Sequence, residues 1–348
     1  MNDLWKGKKV LITGVCGTVG GELVQQLRSY GCSEIIGIDN NETEMFFISQ
    51  KFNECSNIEF FLCDMRDREG LIRVTRGMDI ILHAAALKHV ILCEKSPRDA
   101  VSTNIDGMMN IIDAAQINGV ERVIFTSTDK AVNPTNVMGT TKLIGERLIT
   151  AANAHRRHEH DTIFASTRFG NVLGSRGSVI PVFKKQIKNG GPVTLTNVEM
   201  TRFIMTLRDA VSLVLDSTFM ARGGDVFVTK MPVIRIADLA ELMIEILAPQ
   251  YGYNPEDISI NIIGSKPGEK MYEELLSDEE VHRTIELEQF YAIIPAFKGI
   301  YHSINYDYDS IINQQVERPY NSAIETAMTR DELNKYIVEH QLLEEASV

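Results

Sequence analysis

Residues 8–14 read KKVLITG, an apolar run closed by glycine, and residues 14–24 continue as GVCGTVGGELV. Gly14, Gly17 and Gly20 thus fall between a strand pattern and a helical pattern that runs from Thr18 to Tyr30. Strand, glycine turn and helix in that order constrain a chain more than any composition does. The turn lets backbone N–H groups and the helix N-terminus approach a pyrophosphate, and the glycines let the helix pack close to its strand. Glycines that only shape a turn are the plainer reading. Against it, SEIIGID (residues 33–39) is a second apolar run that ends in an acid, Asp39. A carboxylate there accepts hydrogen bonds from ribose hydroxyls and repels a 2′-phosphate, which favours NAD over NADP.

The rhythm then repeats. IEFFLCD (58–64), MDIILHAAA (78–86), ERVIFTST (121–128) and TIFASTRFGN (162–171) are further apolar runs, with helical patterns over Ser96 to Asn118 and Met138 to His155 between them. Continuous Val/Ile/Leu/Phe runs separated by helices predict a parallel sheet covered on both faces, a Rossmann-type doubly wound α/β fold. After Asn171 the rhythm loosens. Helices are expected over Ser178 to Asn189, Leu207 to Met220 and Ile236 to Leu247, with short strands at DVFVTK and SINIIG. The expected division is a cofactor domain over 1–171 with later returning segments, a smaller, discontinuous C-terminal substrate domain mainly over 172–298, and a surface tail over 299–348.

Charge and cysteine content narrow the function. Lys+Arg 35 against Asp+Glu 47 gives a net charge of −12, which argues against a general nucleic-acid or anionic-membrane binder. No apolar run reaches the ~18 residues of a membrane span, so no membrane insertion is expected. The polar start MNDLWKGKKV is not read as a signal peptide. Cys16, Cys32, Cys55, Cys63 and Cys93 are scattered without metal-ligand spacing, so no metal site is expected and reduced cytoplasmic thiols are.

In such sheets ligands bind at the C-terminal ends of the strands. Asp64 ends the third run and either meets an adenine or caps the helix that follows. HAAALKHV (83–90) places small residues and then Lys88 and His89 at the fourth run's end; His89 is a ligand or a satisfied loop histidine. STDK places Thr128, Asp129 and Lys130 at the fifth run's end, and Met138 and Lys142 lie one helical turn apart on the next helix. An acid beside an amine suits general acid–base work, or is a surface ion pair.

The glycine fingerprint, DMRD, AALKHV, STDKAVNPTNVMGTTK, RFGNVLGSRGSVIPVF, MTRFIMTL and KPGEKMYEELL together resemble the extended short-chain dehydrogenase/reductase superfamily. Within it they resemble bacterial UDP-N-acetylglucosamine 4,6-dehydratases, in the branch with methionine where other members carry a catalytic tyrosine, here Met138. The resemblance runs from Lys8 to about Leu276 and covers the soluble part of that branch. It implies a tightly held NAD contacted by Gly14, Gly17, Thr18, Val19, Gly20, Asp39, Asn40, Asp64, Met65, Ala84, Ala85, Ala86, Lys88, Asn104 and Lys142. Hydride leaves sugar carbon 4, water is lost across carbons 5 and 6, and hydride returns to carbon 6. Asp129 would be the acid at the 6-hydroxyl and Lys130 the base at carbon 5, its basicity requiring burial or a cationic neighbour such as Lys142. Thr128 would hydrogen-bond the 4-hydroxyl, and Met138 would pack against substrate or nicotinamide.

For UDP-N-acetylglucosamine the implied contacts are Lys88, His89, Met138, Asn171, Arg176, Ser178, Arg202, Glu269 and Lys270. Arg168 could instead partner a carboxylate at a domain interface. Retention at carbon 5 and a role in bacterial surface glycan synthesis are expected, with a homodimer as the default assembly. The alternatives are a 5-inverting dehydratase, a UDP-sugar 4-epimerase, which needs no acid at carbon 6, and a non-catalytic nucleotide sensor.

Overall fold

The computed structural model describes residues 2–155, 161–175, 177–264, 268–297 and 304–344, which form two compact units. The first comprises Met1–Phe169, Ala210–Lys230 and Asp278–Pro319. Its strands are β1 (Lys9–Thr13), β2 (Glu34–Asp39), β3 (Ile58–Leu62), β4 (Ile80–His83), β5 (Arg122–Thr128), β6 (Ile163–Phe169), β7 (Val226–Thr229), β8 (Thr284–Leu287), β9 (Phe290–Ile293) and β10 (Ile311–Asn313). They lie in the order β10-β8-β9-β7-β6-β5-β4-β1-β2-β3. Neighbours from β3 to β7 are parallel, and β9, β8 and β10 extend the sheet antiparallel. The strand order reverses between β1 and β4, whose last residues Thr13 and His83 are paired. That is the crevice where doubly wound sheets bind ligands.

The expected sheet is therefore present, with β3 an exception to two-sided burial. It is the edge strand, and its Phe61 and Leu62 are exposed. The helical pattern over Ser96 to Asn118 is not one regular helix. It divides into Pro97–Val101, a π-helical segment Ser102–Asp106 and helix α2 (Gly107–Asn118), which follows α1 (Thr18–Leu27) in the labels used here. Helix α3 spans Val137–Ala152. DVFVTK supplies β7 and so belongs to the first unit.

The second unit comprises Gly170–Asp209, Met231–Ser277 and Tyr320–Val348. Three short sheets and the helices Val179–Lys188, Ile236–Leu247 and Arg330–Glu339 enclose an apolar core that includes Phe183, Leu239, Met243, Leu333 and Ile337. The residues after 299 are not one surface tail. Ile311–Asn313 joins the first unit's sheet, and Tyr320–Asn321 with the last helix joins the second unit. The helix is set by a capping box, in which Thr329 and Glu332 satisfy each other's backbone N–H groups. Among the described residues no helix is long and apolar enough to cross a membrane.

Candidate active site

At the first turn, Gly14 has φ +72°, a conformation that L side chains rarely adopt. A Cβ on Gly14 would lie 2.7 Å from the Ala85 backbone, and one on Gly20 would lie 2.2 Å from the Gly14 carbonyl oxygen. The glycines thus bring α1 and the β4 loop to the turn at backbone contact, while the N–H groups of Thr18 and Val19 open the helix. Asp39 accepts from the Cys16 N–H at 3.1 Å and the Asn41 N–H at 3.1 Å, which aims its carboxylate at the mouth of the turn. A cradle that only glycine can line, ending beside an acid, fits a dinucleotide diphosphate and ribose.

Asp64 is held by Arg66 through its backbone N–H (2.9 Å), Nε (2.8 Å) and Nη2 (2.7 Å), and also accepts from Asn40 at 3.2 Å. The guanidinium holds this carboxyl far below the usual carboxylate range. Asp64 is not the helix cap; Asp67 caps Arg68–Val74 through the Gly70 N–H. Met65 is buried, its carbonyl accepting from Asn110. Ala84, Ala85 and Ala86 are half-buried, and the Ala85 N–H donates to Thr13 Oγ1 at 3.1 Å. Lys88 and His89 are exposed.

Asn104, expected at the cofactor, is engaged elsewhere. From the π segment its side chain accepts from Leu87 N and donates to Leu87 O and to Thr141 Oγ1 at 2.8, 3.0 and 2.9 Å. It pins the β4 loop to α3. A π segment turns such a side chain out of helical register, and nothing in the sequence pattern announces it.

The end of β5 carries the most unusual chemistry. Asp129 is fully buried, its Oδ1 accepting from Thr128 Oγ1 at 2.7 Å and from Lys130 Nζ at 2.9 Å. Its Oδ2 has no partner among the described residues. Burying a carboxylate oxygen unsatisfied costs several kcal/mol, so such an atom marks a site that receives a donor. The Lys130 side chain is 27% exposed. Gly139 lets α3 press against this turn, since a Cβ there would lie 2.1 Å from the Lys130 carbonyl oxygen.

Lys142 was expected at the nicotinamide ribose and as a cationic neighbour of Lys130. Its Nζ is buried on α3, donates to the Thr126 carbonyl at 2.9 Å and lies 4.6 Å from the centre of the Phe125 ring. Burial pulls this amine down to about 8, against smaller upward pulls from Glu146 and Cys93. Met138 is 3% exposed and packs with Cys93 and Ala100 in a small apolar cluster, so its contacts here are with the protein core.

His83 was not anticipated as a site residue. It is buried at the end of β4 with Nδ1 2.7 Å from Thr13 Oγ1, and burial followed by the Lys142 charge pulls it down to about 3. Thr13 Oγ1 also accepts from the Ala85 N–H, so one hydroxyl ties the His83 ring to the β4 loop. HAAA at a strand end was the available signal.

In the second unit a cavity of about 320 Å³ is lined by Asn171, Ser178, Thr194, Thr196, Arg202 and Glu269, among others. Ser178 precedes Val179–Lys188 as its N-cap but makes no cap bond, and its Oγ is buried without a partner among the described residues. Arg202 is committed to the protein. It donates to the carbonyls of Thr201 (2.7 Å), Lys270 (2.8 Å) and Met271 (3.2 Å), with Glu273 at 3.6 Å and Glu269 at 3.9 Å. Lys270 pairs with Glu274 at 3.2 Å. Arg176 lies outside the described residues. The carboxylates hydrogen-bonded to Arg168, Glu146 and Glu280, belong to its own unit.

Residues 10–295 match the family described as polysaccharide biosynthesis protein. The chain is 49% identical over 295 residues to an uncharacterized membrane protein of Methanocaldococcus jannaschii, covering 85% of this chain and 88% of that one. It is 40% identical to a UDP-N-acetylglucosamine 4,6-dehydratase (inverting) of Campylobacter jejuni, covering 85% of each. A protein of Rickettsia canadensis named UDP-glucose 4-epimerase is 39% identical, with 82% of each covered. The chain spans only 46% and 47% of two further curated relatives, from Bacillus subtilis and Staphylococcus aureus. Among solved structures, Pen from Bacillus thuringiensis superposes with a TM-score of 0.90 at 38% identity, covering 98% of this chain and 99% of that one. DesIV of Streptomyces venezuelae, a dTDP-glucose 4,6-dehydratase solved with NAD, shares the fold at a TM-score of 0.66 and 22% identity, covering 76% and 87%. The chain belongs to the polysaccharide biosynthesis protein family and has the extended short-chain dehydrogenase/reductase fold.

Proposed function

We propose that this chain is an NAD-dependent 4,6-dehydratase of UDP-N-acetylglucosamine that makes a 4-keto-6-deoxy sugar for a surface polysaccharide. The observation that carries the reading is the buried Asp129, with one oxygen shared by Thr128 and Lys130 and the other awaiting a donor. Bound at the glycine turn, NAD supplies reversible hydride exchange with the sugar. The protein's part is proton transfer. Passage of the shared proton from Lys130 Nζ to Asp129 along their 2.9 Å contact leaves an amine and a carboxylic acid. The amine takes the proton from carbon 5, the acid protonates the departing 6-hydroxyl, and water loss restores the ammonium–carboxylate pair. As carbon 6 is reduced, the Lys130 ammonium gives a proton to carbon 5 and is reprotonated from water. Thr128 hydrogen-bonds the 4-hydroxyl and relays that proton to water or to Asp129, its acceptor at 2.7 Å. Lys142 holds the nicotinamide ribose.

The second unit's cavity, with the unpartnered Ser178 hydroxyl at a helix N-terminus, is proposed to take the UDP group. A 4-epimerase is the second reading, favoured by the name of the Rickettsia relative. The Asp129–Lys130 pair weighs against it, since 4-epimerisation needs no acid at carbon 6. Incubation with UDP-N-acetylglucosamine decides: a 4-keto-6-deoxy product supports dehydration, a 4-epimer replaces it, and tight binding without turnover indicates a sensor. Asp129→Asn is expected to lower product formation at least about 100-fold, the scale of general acid catalysis; near-wild-type turnover would sink the assignment. Product NMR separates inversion at carbon 5, favoured by the Campylobacter relative's name, from the retention expected from the sequence.

A further inference from the structure

Several buried charged groups are unused by the chemistry above, and one of them adjoins Lys142. Glu146 is 3% exposed and lies four residues after Lys142 on α3, so the two side chains share a face of the helix. Glu146 does not pair with Lys142. Its Oε1 accepts from Arg168 Nε at 2.9 Å and its Oε2 from Arg168 Nη2 at 2.7 Å. The same guanidinium serves Glu280, through Nη1 at 2.8 Å and Nη2 at 2.7 Å. Arg283 reaches Glu280 from the far side at 3.3 Å while pairing with Glu279. The guanidinium that binds both oxygens of Glu146 is thus shared with Glu280, so its charge is not spent on the carboxylate beside Lys142 alone.

We infer that Glu146 is a positioning residue that keeps Lys142 a cation for the cofactor, and that it can do so because Arg168 is shared with Glu280. The inference rests on the dehydratase reading for what Lys142 holds, but the charge coupling stands apart from it. Among the described residues, the other groups recorded against Lys142 carry no opposing charge. From β4, His83 is neutral with Nδ1 engaged by Thr13. From Val90–Lys95, Cys93 is a thiol that burial and Glu94 push up. From β5 come the Phe125 ring and the Thr126 carbonyl. A desolvated amine in that company loses its proton readily unless a carboxylate charge is near.

The test is direct titration of Lys142 in the full-length protein labelled with ¹³C at lysine Cε, its resonance assigned by loss in Lys142→Met. Wild type should titrate near 8. Glu146→Gln should move that midpoint down by about one pH unit, the lower end of what one close opposite charge supplies. Glu280→Gln, a variant away from Lys142, should move it the same way by less, because Arg168 then neutralises Glu146 fully. The alkaline limb of kcat should follow both midpoints. Unchanged midpoints in both variants would overturn the inference, as would an upward shift in either; a shift in Glu146→Gln alone would overturn the sharing by Arg168. Should Glu146→Gln not fold, Glu280→Gln alone decides. Absence of dehydration in the wild type would defeat the functional reading while leaving the titration informative.

Discussion

Replacing Arg168 by methionine removes the charge but keeps most of the volume, and the structure sets the consequence. Arg168 is 2% exposed, with Glu146 and Glu280 at 3% exposed each. Without the guanidinium Glu146 loses both of its hydrogen bonds to Arg168, and Glu280 keeps Arg283 at 3.3 Å but loses two. Breaking a buried pair by removing one partner costs about 3–5 kcal/mol, because the remaining charge is uncompensated. For a folding unit of this size that lowers Tm by roughly 6–20 °C. The pH dependence has a definite sign. In Arg168→Met the two carboxylates are pushed up in the folded state by burial and mutual repulsion, above their unfolded values. A group so raised destabilises fully above its folded pKa, and the deficit disappears as pH falls below its unfolded pKa. Differential scanning calorimetry at pH 7.5 and pH 5 should therefore show a large Tm deficit that narrows on acidification. The triple variant Glu146→Gln, Arg168→Met, Glu280→Gln should recover most of the loss at pH 7.5. A deficit below 1 kcal/mol at pH 7.5, or one that widens at pH 5, would refute the reasoning.

Two further substitutions test the packing around the β5 turn. Gly139→Ala puts a methyl 2.1 Å from the Lys130 carbonyl oxygen and must push α3 from the Asp129 turn. It should cost about 1–3 kcal/mol in denaturant melts and lower kcat more than it raises KM for the sugar nucleotide, because the displaced groups act in the chemistry. Met138→Leu conserves volume in the cluster with Cys93 and Ala100, so stability should change by less than about 1.5 kcal/mol with turnover retained. Turnover abolished in a folded Met138→Leu protein would show a role for the sulfur that packing does not explain.

The sheet was legible because β1, β2, β4, β5 and β6 are continuous apolar runs, and burial on both faces demands such runs. The glycine turn was legible because φ and close approach restrict its residue types. What escaped is what depends on partners distant in sequence. Asp64 and Asp67 both precede a helix, and only the backbone decides that Asp67 caps it while Asp64 turns to Arg66. Arg202 stands in a motif that suggests a ligand, yet its guanidinium is filled by the carbonyl of its neighbour Thr201 and by two carbonyls, Lys270 and Met271, almost seventy residues away. Ile311–Asn313 is a weak strand on its own and exists because β8 offers it an edge. Glu146, Arg168 and Glu280 come from three separate segments, so no local pattern could join them.

The π segment at Ser102–Asp106 has a consequence for how the chain couples its loop to its core. An added residue in a helix rotates everything beyond it by about 100°, so the residues before and after the insertion obey different phases. Asn104 can therefore address Leu87 and Thr141, while Ile111, Ala114 and Ala115, a few residues on, still face the sheet. The segment works as a phase shifter between two clients that a uniform helix could not serve together. Deleting one residue there would leave a better helix and force it to abandon either the β4 loop or the hydrophobic core.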